Sequence, residues 1–233
     1  MDGRKYNRVF AREQLNKENI EMKIKSRSVS GLEKSGWNKG EGDVVLVNPA
    51  LGKVVHVAVC NDEGKPLYDQ FLHAEPVGAV TVPMNSKGEI GIITAVRPTA
   101  KPGTYSYQEF ENDFSNLGCE SIEVPRGFPM KDEIGTETAM REGGEELGSP
   151  IKSVSLLGEI TPNTTFHPHR IPVYLAQVDE NFTGPMPGDV NEKILKVTWV
   201  TKAKLLTMVR DDKIYCGMTM AAITLAIANG KFL

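Results

Sequence analysis

Apolar positions along this chain recur with two different periods. Between Asp43 and His73 the segments DVVLVN, KVVHVAVC and PLYDQFLH are rich in β-branched and aromatic residues. Turn signals at residues 49–52 and 62–66 separate them, so they predict two or three short antiparallel strands. PVGAVTVPM and EIGIITAV follow, joined by the turn sequence Asn85-Ser86-Lys87-Gly88, and both alternate as strands do. Further strands are predicted in SIEVPRGFP, SVSLLGEITP, IPVYLAQV and KILKVTWV. Helical spacing occurs in three places: Thr136 to Leu147 with Thr136 as N-cap, Lys202 to Arg210, and Gly217 to Ala228. In the last of these, Met218, Ala221, Ala222, Leu225 and Ala228 form a stripe expected to face the core, with Gly230 as the stop. Strands interleaved with helices predict an α/β fold.

Outside these elements the pattern weakens. Residues 1–42 are polar and basic with scattered apolar positions, and read as a solvated arm with room for a short helix or strand. Residues 99–120 read as a loop whose Tyr105, Tyr107, Phe110 and Phe114 are suited to stacking on a base or to packing the loop itself. Residues 162–170 and 179–192 read as loops. Three units are therefore expected: an arm over 1–42, a small β region over 43–75, and a main domain over 76–233.

Composition narrows the class. The chain has 233 residues, 40% of them hydrophobic, and a formal charge of −3. That balance disfavours non-specific nucleic-acid binding. No apolar run reaches the length of a membrane span, and the polar start is not a signal peptide. Three widely spaced cysteines, Cys60, Cys119 and Cys216, fit a reducing cytoplasm better than a disulfide framework or a zinc site.

The chemistry concentrates in GFPMKDEIGTETAMREGGEELGS, residues 127–149. At helical pitch Glu142, Glu145 and Glu146 share one face. An isolated acidic cluster is most simply a solvated helix face. Like charges at this spacing cost about 0.2–0.5 kcal/mol per pair, however, and hard divalent cations take such oxygen ligands. The segment resembles the signature of Nudix hydrolases, Gly-x5-Glu-x7-Arg-Glu-U-x-Glu-Glu-x-Gly-U, with U a bulky aliphatic residue. Gly127, Glu133, Arg141, Glu142, Glu145, Glu146 and Gly148 supply all the fixed positions. Both U positions differ and hold Gly143 and Ser149. Two glycines inside a helix should each cost about 1 kcal/mol relative to alanine.

The resemblance implies a Nudix-type α/β/α sandwich with a mixed sheet, plus a small N-terminal antiparallel sheet of the kind that mediates homodimers in this family. It implies a Mg2+-dependent hydrolase, with Mn2+ as a substitute, acting on the pyrophosphate of a nucleotide. The tail and the N-terminal sheet resemble ADP-ribose pyrophosphatases, which release AMP and ribose 5-phosphate. Pro162 lies slightly short of the proline position typical of that group. Hydrolysis of a dinucleoside polyphosphate, NADH or a nucleoside triphosphate is the alternative, as is a non-catalytic nucleotide sensor.

The same resemblance assigns metal binding to Glu142, Glu146, Glu145 and the backbone carbonyl of Arg126. Arg141 is implied to orient the glutamates and Glu133 to supply a direct or supporting ligand; independently of the resemblance, Glu137 is spaced four residues before Arg141 to pair with it. The water-activating acid is expected at Glu192, with Asp189 and then Glu180 as fallbacks. Arg97, after its strand, and Phe166 are the candidates for substrate contact. His56 and His73 read as ordinary strand residues; the spacing of His167 and His169 would suit metal ligands, but with nothing else to support a nitrogen-rich site they read as substrate-edge or solvent positions.

Overall fold

The computed structural model describes residues 23–26, 44–48, 52–63, 66–100, 117–179 and 194–231. The chain divides into two compact units, one reaching Leu72 and the other comprising residues 49–52 and everything from His73 on.

In the first unit β1 (Lys23–Ser26), β2 (Val44–Asn48), β3 (Gly52–Cys60) and β4 (Pro66–Ala74) form a four-stranded sheet in which β3 pairs with each of the other three. Strand β1 runs antiparallel to β3, with Lys23 opposite Cys60. The polar N-terminal segment thus contributes a short edge strand. Val57 and Val59 are buried, as β-branched residues on one face of a pleated strand should be.

The second unit is built on a seven-stranded mixed sheet. Its strands are β5 (Ala79–Met84), β6 (Ile90–Ala100), β7 (Leu117–Glu123), β8 (Arg126–Gly127), β9 (Ile151–Ile160), β10 (Ile171–Val178) and β11 (Ile194–Val200). The order is β11-β6-β5-β10-β9, with β7 on β6 and β8 on β5. Only β10 and β5 run parallel; the other registered pairs are antiparallel. Helix α1 (Gly135–Leu147) packs on β5, β9 and β10, and the two C-terminal helices are α2 (Lys202–Arg210) and α3 (Gly217–Ala228).

Alternation along the strands sorts side chains between two cores. Ile92 and Leu175 point to the core shared with Leu205, Met208, Ile214, Ala222 and Ile223, which come from α2, α3 and the turn between them. Their neighbours Ile93 and Ala176 point the other way, onto Leu147 and Ile151. The sheet is therefore covered on both faces, as the sandwich reading requires.

Several local expectations shift. Strand β6 continues through Ala100, so Arg97 lies inside it, opposite Cys119 of β7. Strand β7 starts at Leu117, inside the stretch read as a loop. Helix α1 begins at Gly135, with Ile134 rather than Thr136 as N-cap. There the Glu137 carboxylate accepts from the Ile134 N–H at 3.1 Å, and Thr138 N–H reaches Ile134 O at 3.0 Å. This acidic residue in the first turn replaces the hydroxyl cap. Helix α3 is apolar on nearly every side, so periodicity alone does not select its buried face. Thr219, Ala222, Ile223 and Ala226 are buried; Met218 and Leu225 pack beside them and Ala228 is exposed. The four aromatics of 101–116 lie outside the described residues.

Candidate active site

Helix α1 presents Glu142 and Glu146 to the turn that leads from β7 into β8, where β8 pairs with β5. Glu146 is buried, and its Oε2 accepts from the Arg126 N–H at 2.9 Å. Glu142 reaches the same turn: a Cβ at Gly127 would overlap its carboxylate, so only glycine fits there. Gly143, one of the two departures from the box pattern, sits at another close approach. A Cβ there would lie 3.1 Å from Cγ2 of Thr81 and 3.4 Å from Cγ1 of Ile151. Thr81 Oγ1 also donates to Ala139 O across the same contact. The helix lies so close to β5 that a side chain at 143 would require Thr81 or Ile151 to shift, which gives the helical glycine a packing reason.

Arg141 is the hub of the acidic face. Its Nε and Nη2 hold Glu133 in a two-pronged pair at 2.8 and 2.9 Å. Its Nη1 donates to Glu142 at 2.8 Å and Glu145 at 3.1 Å, and Nη2 also meets Phe128 O at 2.8 Å. Glu137, expected to pair with Arg141, is instead spent on the helix start, and Glu133 takes its place. The Arg141 hydrogen bonds, helped by Met130 N–H and Thr138 Oγ1, hold the Glu133 carboxyl down at about 2 despite its partial burial. Glu133 in turn, followed by Glu142, keeps the Arg141 guanidinium firmly protonated.

A residue that sequence reasoning passed over lies opposite. Glu123, at the end of β7, is 2% exposed. It binds Arg97 Nε at 3.2 Å and Arg126 Nε at 3.3 Å. Burial pushes its carboxyl up, but Arg126 and Arg97 outweigh that and hold it below the usual range. Arg97 Nη2 lies 3.8 Å from Glu146 Oε1, which joins the two clusters. The available signal was an acid at the end of a strand, two positions before the proline of Pro125-Arg126-Gly127.

Between these clusters opens a cleft of about 280 Å3 lined by Glu75, Arg97, Arg126, Gly127, Glu142 and Met218, among others. Of the residues singled out from the sequence, Glu142, Arg97 and Arg126 therefore line one cleft, and Glu145 and Glu146 stand beside them on α1. Phe166 is tilted on His73 at 5.8 Å and edge-on to His167 at 5.1 Å. Glu192, Asp189 and Glu180 lie outside the described residues.

A mixed sheet between helices, with one helix presenting carboxylates to a cleft walled by guanidiniums, defines an α/β/α protein with a site suited to a cation and an anionic ligand. Residues 75–216 match the NUDIX domain family. The chain belongs to that family of hydrolases. A crystal structure described as that of an ADP compounds hydrolase superposes with a TM-score of 0.57 at 16% identity, covering 81% of this chain and 93% of that one. At that identity the likeness is one of fold. No curated protein sequence matches. Among the described residues no helix is long and apolar enough to cross a membrane.

Proposed function

We propose that this chain is a Mg2+-dependent pyrophosphohydrolase acting on a nucleoside diphosphate linked to a second moiety, with ADP-ribose as substrate and AMP and ribose 5-phosphate as products. The observation that carries the reading is the shared cleft, lined by Glu142 together with Arg97 and Arg126. Carboxylates alone would repel a pyrophosphate, and guanidiniums alone would bind it without activating it.

The donor set fits a hard divalent ion, because Glu142, Glu145, Glu146 and the carbonyl of Arg126 offer only oxygen. The missing Cβ at Gly127 lets the Glu142 carboxylate lie against the turn. When bound, Mg2+ (or Mn2+ in its place) neutralises phosphate charge and polarises phosphorus. Arg97 and Arg126 bind phosphate oxygens as planar donors, and Glu123 fixes their orientation. Arg141 holds Glu142 and Glu145 in place. In hydrolysis one P–O bond of the pyrophosphate bridge breaks and the water oxygen joins phosphorus, with its proton passing to Glu192. Phe166 is assigned to the far end of the substrate.

The NUDIX match and the fold of an ADP compounds hydrolase support the substrate class. The scattered cysteines support a cytoplasmic setting. Exposed Val47, Leu67, Tyr68 and Phe71 on the small sheet support a homodimer.

The test is a product assay with ADP-ribose and Mg2+, run beside NADH, GDP-mannose, a diadenosine polyphosphate and nucleoside triphosphates. AMP from ADP-ribose is expected, with turnover falling about 100-fold or more in Glu146→Gln. Turnover of another compound keeps the metal site and discards the substrate. Full turnover by Glu146→Gln, or binding without hydrolysis, refutes the catalytic reading.

A further inference from the structure

Three side chains of the second unit lie together and have no part in the reaction above: His73 at the end of β4, Glu75 just after it, and His167 in the loop between β9 and β10. Nδ1 of His73 is 3.7 Å from Oε2 of Glu75, and Nε2 of His167 is 3.7 Å from Oε1. One nitrogen from each histidine and one carboxylate oxygen all fall within 4.8 Å of one another. The two rings meet edge to face, 5.6 Å apart at 61°.

Main-chain bonds set this arrangement. His73 N–H donates to Phe166 O at 2.7 Å, and Asn163 O accepts from the N–H groups of Phe166 at 3.1 Å and His167 at 2.7 Å. Side-chain hydrogen bonding does not explain the His167 ring. It is 19% exposed. Its Nδ1 is buried with no hydrogen-bond partner among the described residues. A 3.7 Å approach to Glu75 is too long for a hydrogen bond. The nitrogen that faces the site is Nε2, and it meets the Glu75 carboxylate across a gap that makes no hydrogen bond, which leaves its lone pair open to a ligand.

Two imidazoles and a carboxylate converging on one point make a donor set unlike that of the α1 acids. Imidazole nitrogen suits zinc and its neighbours in the transition series, whereas magnesium prefers oxygen. Zinc bonds of about 2.0–2.2 Å place tetrahedral donors roughly 3.4 Å apart. Each histidine is 3.7 Å from a different oxygen of Glu75, and with a single carboxylate oxygen the three donors lie within 4.8 Å of one another, a spread that side-chain rotation closes. We propose that His73, Glu75 and His167 bind a zinc-class transition-metal ion, separate from the ion held by the α1 carboxylates. A site with three protein ligands keeps a fourth position open. Because Glu75 also lines the cleft, water or an oxygen of the cleft's occupant is the chemistry suited to that position.

The experiment uses the tag-free full chain, stripped with chelator and returned to excess Mg2+. Zinc is titrated and its content measured. Co2+ is substituted for its visible spectrum, and the four histidines are followed by NMR. One zinc per chain retained against Mg2+, a Co2+ spectrum of low-coordinate nitrogen ligation, and zinc-induced shifts of His73 and His167 are expected. His73→Asn and His167→Asn, checked for fold by circular dichroism, should each weaken zinc by more than the roughly 100-fold that losing a supporting group costs. Glu146→Gln should bind zinc as the parent does. Zinc lost to Mg2+, retained by both folded histidine variants, or lost in Glu146→Gln overturns the proposal. If a variant fails to fold, the NMR of the parent decides: zinc that moves neither histidine overturns it. Metal content is the readout, so failure of the pyrophosphatase assay leaves this result standing.

Discussion

Replacing Arg141 with glutamine removes the cation around which the acidic face of α1 is assembled. A carboxyl lowered from 4.5 to about 2 corresponds to about 3 kcal/mol of stability if one partner caused it all. Met130 N–H and Thr138 Oγ1 share that effect, and solvent screens so shallow a site. About half, roughly 1.5 kcal/mol, is therefore assigned to Arg141. Its bonds to Glu142 and Glu145 add about 0.5–1 kcal/mol each, for a total of about 3 kcal/mol. For a unit of this size each kcal/mol lowers Tm by about 2–4 °C, so a fall of about 6–12 °C is expected at pH 7. The assay is thermal unfolding by circular dichroism at pH 7, 5 and 3.5. The folded Glu133 pKa lies below its unfolded value, so its stabilisation is complete above about 4.5 and is lost as pH falls toward 2. The gap between parent and variant should therefore be widest at pH 7 and should shrink below pH 4.5. A gap under 2 °C at pH 7, or one unchanged down to pH 3.5, refutes the assignment of Arg141 as the stabilising hub.

Other substitutions probe neighbouring claims. Gly127→Ala forces the Glu142 carboxylate aside, and a misplacement near 1 Å should cut kcat about 100-fold; parental kcat with ADP-ribose and Mg2+ would contradict this. Glu123→Gln leaves two guanidiniums facing a neutral buried group. It should cost about 3–5 kcal/mol, lower Tm by about 10 °C, and raise KM as Arg97 and Arg126 lose their anchor. A variant with parental Tm and KM would remove Glu123 from the site. Thr201→Ala deletes the N-cap of α2, where Thr201 Oγ1 accepts from Lys204 N–H at 3.2 Å. About 1 kcal/mol should be lost, with turnover unchanged; a drop in turnover would mean that α2 reaches the site.

The sequence by itself determined the features governed by neighbours along the chain. The β10, α2 and α3 segments have the bounds their spacing predicts, because periodicity and chain-stop residues are local signals. The box positions could be read for the same reason: one helical turn places Glu142, Glu145 and Glu146 together whatever surrounds them. Only the tertiary structure decided what those carboxylates meet. Glu123 looks like any strand acid until β6 and β8 bring Arg97 and Arg126 to it. Gly143 looks like a flaw in a helix until Thr81 and Ile151 are seen to fill the space a side chain would need. His73 and His167 stand far apart in sequence and meet only because main-chain bonds draw the Asn163–His167 turn to the end of β4. Contacts of that range depend on how the chain closes on itself, and no local period encodes them.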